Sequence, residues 1–142
     1  MTEVHVVETP EAMELAFSIR RRVFVDGQGV PADLERDGHD AGSRHVLARF
    51  DGVPCGTARW RITPNGVKLE RFAVLPEYQG RGVGQALVRA ILDDVSHHPD
   101  TVGLPRYLHA QLSAVSLYER FGFRPEGDRF LEAGIVHAKM VV

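Results

Sequence analysis

The stretch Val74-Leu-Pro-Glu-Tyr-Gln-Gly-Arg-Gly-Val-Gly-Gln85 constrains this chain most, because the hydrophobic period changes across it. Before it, apolar residues run in short strand-like segments. After it, Val83, Leu87, Ile91, Leu92 and Val95 mark one face of a helix over roughly 82–96. Between them the chain turns through Gly80, Gly82 and Gly84. Glycines let backbone N–H groups converge unobstructed, and a helix N-terminus adds unpaired N–H groups with the positive end of its dipole. Such a turn either holds a phosphate or pyrophosphate or is simply tight. The spacing excludes the dinucleotide fingerprint G-x-G-x-x-G, and the lack of a following Gly-Lys-Ser/Thr excludes a P-loop.

The segments around this turn suggest a mixed sheet. Val4–Val7 reads as a first strand, and Thr9 with Pro10 reads as the N-cap and first turn of a helix reaching about Arg22. Residues 23–43, punctuated by Gly27, Gly29, Pro31 and Gly38, read as irregular. His45–Phe50, Gly56–Ile62 and Val67–Val74 follow as three strands joined at Asp51-Gly52 and Pro64-Asn65-Gly66. After the long helix come a strand at Tyr107–Gln111, a helix at Ser113–Arg120 and a cap at Gly122. A strand starts at Phe123, and a last one covers Gly134–Val142. The expected class is α/β (α+β): one domain over 1–142, with a mostly antiparallel sheet flanked by helices.

Composition removes several alternatives. With 17 basic and 19 acidic residues and a net charge of -2, the chain lacks the basic excess of a nucleic-acid binder. No apolar run approaches the roughly 18–20 residues of a membrane span. Met1-Thr2-Glu3-Val4-His5 shows no signal-peptide pattern, so a cytoplasmic setting is expected. The one cysteine, Cys55, has no disulfide partner and no recognisable activating neighbour. The seven histidines show no zinc spacing, so no metal is expected.

The spacing Gln79-x-x-Gly82-x-Gly84 resembles motif A (Q/R-x-x-G-x-G/A) of the GNAT superfamily of N-acetyltransferases. Glu70-Arg-Phe-Ala-Val74 is similar to that family's fourth strand, and Leu117-Tyr-Glu-Arg-Phe-Gly-Phe123 to its closing Y-E-x-x-G-F signature. Gln111 stands where many members have asparagine. One bacterial subgroup adds V-F-V-x-E-Q-x-V-P, E-x-D-x-x-D and F-x-E-x-G-I-x-H-x-x-M. These correspond to 23–31, Glu35-x-Asp37-x-x-Asp40 and 130–140, with Gly27 in place of the usual glutamate.

The resemblance implies the GNAT acyl-CoA N-acyltransferase fold and acetyl-CoA as co-substrate. It further implies that Phe72, Ala73, Val74, Gln79, Gly80, Arg81, Gly82, Val83, Gly84, Gln85, Gln111 and Tyr118 form the cofactor site. A backbone N–H near Val74 would polarise the thioester carbonyl. Tyr118 is the candidate acid for the departing thiolate, against the alternative that it merely packs its helix. Glu70 is the candidate general base, against a carboxylate paired with an arginine; a strand bulge would alter which face it shares with Lys68 and Phe72. The acidic run Asp33–Asp40 is either a solvated loop or a rim attracting a cationic amine. His109 and His137 either line the pocket or are ordinary hydrogen-bonded histidines. With no activated nucleophile evident, direct transfer to a small-molecule or peptide amine is the expected mechanism. Rival readings are a coenzyme-binding sensor of the same fold and an interaction domain without coenzyme. Exposed strands would also allow a homodimer.

Overall fold

The computed structural model describes residues 1–142. Eight strands form one sheet: β1 (Thr2–Val6), β2 (Arg44–Phe50), β3 (Val53–Thr63), β4 (Gly66–Val74), β5 (Arg106–Gln111), β6 (Arg124–Pro125), β7 (Phe130–Glu132) and β8 (Ile135–Val141). Their order is β1-β2-β3-β4-β5-β8-β6, with β7 paired to β8, and every pairing is antiparallel except β4 with β5. The helices are α1 (Pro10–Arg20), α2 (Ala32–Glu35), α3 (Val83–His97) and α4 (Val115–Glu119). No helix is long and apolar enough to cross a membrane.

Local chemistry sets these boundaries. Thr9 caps α1 by accepting from the Ala12 N–H at 3.1 Å, and Pro10 occupies its first turn. The β2–β3 turn places Asp51 and Gly52 at φ 48° and 85°, the mirror-image turn that matches strand twist. The apolar face of α3 puts Val83, Leu87, Val88, Ile91 and Val95 against one side of the sheet, in a core with Trp60, Leu69, Leu108 and Met140. The other face carries α1 through Ala16 and Ile19, packed on Leu47, Ala73 and Leu75.

Three elements differ from the sequence reading. The helix does not stop at about Arg22: beyond α1 the chain continues as a π-helical stretch over Arg21–Asp26. Residues 123–142 contain a hairpin as well as a last strand, since Ala133 and Gly134 turn at φ 51° and 76° between β7 and β8. The acidic run is not simply a solvated loop, because its Glu35, Asp37 and Asp40 carboxylates pair with arginines taken out of water.

Arg20 and Arg59 are essentially inaccessible to solvent. Arg20 grips Glu35 at 2.8 Å and Asp40 at 2.6 Å. Arg59 grips Asp40 at 2.7 Å and Asp37 at 2.6 Å, and also pairs with Glu70. Arg71 adds contacts of 3.1 Å to both Glu35 and Asp37. A guanidinium presents five donors in a rigid fork, so burying one requires several acceptors fixed around it. The segment 35–40 supplies them and is thereby fastened to β3 and α1.

Removing one partner strands the others, so Arg20→Met is expected to lose about 3–5 kcal/mol of stability. Burial alone would raise the carboxyl pKa values of Asp37, Asp40 and Glu70. The arginine charges and hydrogen bonds overcome burial and hold all three below their ordinary values. Groups depressed in the folded state stabilise it fully above their unfolded pKa, about 4, and lose that contribution as pH falls through the folded value. Urea midpoints should therefore be level near neutrality and fall steadily below about pH 4; a midpoint unchanged down to pH 3 would contradict this account.

Candidate active site

Strands β4 and β5 pair only where Val67–Leu69 meet Arg106–Leu108. Beyond Leu69 they diverge, so residues 70–74 keep β3 as their partner on one side and have none on the other. A bulge lies in the same stretch. Arg59 opposes Glu70 while Thr57 opposes Ala73, leaving Arg71 and Phe72 together across from Ala58, with Arg71 at φ 59°. The extra residue changes the parity of the strand. Glu70 and Lys68 stay on the face of Arg59 and Arg61, whereas Phe72 turns to the α3 side and meets the Tyr118 ring edge-on at 5.4 Å.

A cavity of about 380 Å³ opens at this divergence. Phe72, Gln111, Tyr118 and Glu70 all line it, joined by His109 and Glu132. Gln111 exchanges hydrogen bonds with Gln28 at 2.8 and 3.3 Å, spanning from β5 to the loop after the π-helical stretch. Ala73 is buried beneath α1, so only its backbone faces the divergence.

The turn at 79–85 is not part of the cavity lining. Gly80 and Gly82 adopt φ 76° and 82°, and the space where a Cβ would stand is empty at both. Gly82 is the N-cap of α3 and makes no side-chain cap, so the N–H groups of Val83, Gly84 and Gln85 lack helical partners. Val83 itself is buried in the core, while Gly84 lets α4 approach, since a Cβ there would lie 3.3 Å from Leu117. The Arg81 guanidinium lies over the rings of Phe50 and Tyr78 at 5.4 and 5.3 Å. Gln79 reaches back to the Val74 carbonyl at 3.4 Å. Open backbone donors at a helix N-terminus, one strand-end away from a cavity, fit a long phosphorylated ligand laid along residues 70–74.

Tyr118 is buried, and burial alone raises its phenol pKa, with no hydrogen bond to the protein contributing. It is therefore a protonated phenol on a residue that lines the cavity. Glu70 is held in ion pairs. One of its oxygens accepts from Arg59 and Arg61 at 2.7 and 2.9 Å, and the other lies 3.3 Å from the Lys68 ammonium. Burial works to raise its pKa, but these three cations outweigh it and leave a carboxylate of reduced basicity. These pairings weigh against the expected role of Glu70 as general base and make it an ion-paired wall of the cavity. The thiol of Cys55 is fully buried and its pKa is raised by that burial, which suits a packing residue rather than a nucleophile.

The sequence reading missed Glu132, which β7 brings 3.1 Å from His109 and 3.5 Å from His137. The signal was present in Phe130-Leu-Glu-Ala-Gly-Ile-Val-His137, where Ala133-Gly134 is a hairpin turn that folds Glu132 back onto its neighbours.

Known proteins share this fold. Residues 6–142 match the acetyltransferase (GNAT) domain family. An uncharacterized N-acetyltransferase of Bacillus subtilis, YjcF, is 34% identical over 137 residues, covering 96% of each chain. The crystal structure of Escherichia coli ElaA superposes with a TM-score of 0.86 at 27% identity, covering 99% of both chains. An acyl-CoA N-acyltransferase from Pseudomonas aeruginosa does so at 0.84 with 25% identity, again covering 99% of both. With a matched domain spanning nearly its whole length, a sheet that diverges between β4 and β5, and a glycine turn opening α3, the chain belongs to the GNAT family of acetyltransferases.

Proposed function

We propose that this enzyme transfers the acetyl group of acetyl-CoA directly to an amine held in the cavity between β4 and β5. The observation that carries the reading is the presence of three features around the end of β4. These are unpaired N–H groups at the start of α3, an unpaired strand edge at 70–74, and a cavity with the Tyr118 hydroxyl at its side. Acetyl-CoA is bound in a GNAT acetyltransferase from Elizabethkingia anophelis, which shares this fold at a TM-score of 0.67 and 14% identity.

Each residue has a task in this reading. The α3 N-terminus and Gly80–Gly84 hold the pyrophosphate through backbone donors, without a metal. Residues 72–74 pair with the extended arm, and a backbone N–H near Val74 polarises the thioester carbonyl. Phe72 and Tyr118 shape the apolar side of the cavity. As the carbon–sulfur bond breaks, the Tyr118 hydroxyl gives its proton to sulfur. A free thiol product and a thioester donor suit a reducing cytoplasm.

Coenzyme A at a hundredfold excess over its Kd should stabilise the fold by about 2.7 kcal/mol, read as a rise in Tm. Gly82→Val puts a β-branched residue at φ 82° and fills the open cradle, so that rise should disappear while the uncomplexed domain still melts cooperatively. A coenzyme-dependent rise retained in Gly82→Val would remove the turn from the binding site. Neither binding nor turnover should respond to EDTA.

Tyr118→Phe keeps the ring packed on Phe72 and Phe123 but removes the proton. Coenzyme affinity should stay near normal, while single-turnover acetyl transfer slows on the order of 10²–10⁴-fold. A rate within about threefold of the unmodified enzyme would place the acid elsewhere.

A further inference from the structure

An attacking amine must lose a proton, and Glu70, held among three cations, is a weak acceptor for it. The geometry points to His109, oriented by Glu132, as the group that receives the proton of the acceptor amine; this inference rests on the acetyltransferase reading.

His109 projects from β5 into the same cavity as Tyr118. Its Nδ1 lies 3.1 Å from Glu132 Oε1. An ionised carboxylate only accepts, so Nδ1 carries the hydrogen and Nε2 is left with a lone pair. The ring is steadied by Phe130, edge-on at 4.9 Å, and by Tyr107 at 5.9 Å. Glu132 in turn has its other oxygen 3.5 Å from Nε2 of His137, whose Nδ1 donates to the Ile135 carbonyl at 2.7 Å. The two imidazoles differ in access. The His137 side chain is 8% exposed and that of His109 is 23% exposed, so His109 is the one that meets a substrate. This is the base-and-orienter arrangement that activates nucleophiles in many unrelated enzymes.

In the transfer step the amine nitrogen bonds to the acetyl carbon and the carbon–sulfur bond breaks. The nitrogen's proton passes to His109 Nε2, and the Tyr118 proton passes to sulfur. Solvent then carries the proton from His109 back to the Tyr118 oxygen. Amine and thioester become amide and thiol, with no other reactant consumed. The charged and titratable groups facing His109 are Glu132 from β7, His137 and Lys139 from β8, Lys68 from β4, and Tyr107 on its own strand.

The test measures thiol release from acetyl-CoA across pH with spermidine, glucosamine and an unblocked alanyl peptide as probe amines. His109→Gln should lower kcat/KM for the amine on the order of 10²–10⁴-fold and abolish the acidic limb of the profile, with acetyl-CoA affinity and Tm near normal. Glu132→Gln should lose less activity than His109→Gln, because the imidazole stays in place and loses only the carboxylate that holds its Nδ1–H. In Glu132→Leu, which offers no acceptor, nitrogen NMR of the free protein should show His109 leaving the Nδ1–H tautomer, a readout that needs neither turnover nor the His109 variant. His109→Gln activity within about threefold with the acidic limb intact would overturn the assignment. So would an unchanged His109 tautomer in Glu132→Leu. If the unmodified enzyme binds coenzyme A but acetylates none of the three amines, the acetyltransferase reading fails first and the base role falls with it.

Discussion

Arg59 is the residue on which the site wall depends. Its guanidinium has no solvent exposure and lies in the middle of the sheet face, where an unpaired charge would be intolerable. Asp37, Asp40 and Glu70 must all reach it. Arg20 makes the same demand from the end of α1, through Glu35 and Asp40. Asp40, shared between both arginines, ties the two demands together. The segment between the π-helical stretch and β2 is therefore drawn against the sheet although it contains almost no regular structure. Glu35, Asp37, Glu70 and Arg71 then form a wall of the cavity whose side chains are already committed to one another. Such a wall is rigid without being greasy, which is what a site needs to position a polar substrate repeatedly.

The opposite side of the site follows from the way β4 ends. At its start, Gly66 lies so close to Pro105 that a Cβ would sit 2.3 Å from the proline carbonyl oxygen, and the parallel pairing with β5 begins there. It lasts three residues. The bulge at Arg71 adds local twist and carries β4 away from β5, while α3 packs beneath β3 and β4. One irregularity thus separates the strands, exposes a strand edge and turns Phe72 onto Tyr118. A regular ladder continued to Gln111 would close the cavity.

How much of this is legible in the sequence depends on whether the information is local. The strand–turn–helix at 74–85, the cap at Thr9 and the turn at Asp51-Gly52 were legible because propensity and period act within a few residues. Gly80, Gly82 and Tyr118 were legible through a motif, although only the fold shows that the turn and the cavity are separate places. The partners of Asp37 and Asp40 were not legible, since Arg20, Arg59 and Arg71, which claim them, lie 19 to 34 residues away and nothing local announces which face they share. The same reason applies to Glu70. Its three cations include two on the neighbouring strand, and without the register an ion-paired carboxylate cannot be told from a free one. Glu132 was missed because its role depends on a three-residue strand too short to carry a period.

The arrangement sorts proton affinities by environment. Tyr118 lies in an apolar pocket that penalises its ionised form, so it keeps its proton. Glu70 is buried too, yet the cations around it reverse the sign and keep it ionised. Burial therefore acts in the same direction on both groups, and the neighbours decide the outcome. Glu132 falls between these extremes. Its hydrogen bond from His109 lowers its pKa, and its burial opposes that, so it stays a carboxylate whose charge is directed at imidazoles rather than spent on arginines. An imidazole is the only side chain that changes charge near neutral pH without further adjustment. Of the acidic groups lining the cavity, Glu132 is the one hydrogen-bonded to an imidazole, so that corner holds a ring with one nitrogen to donate and one to accept.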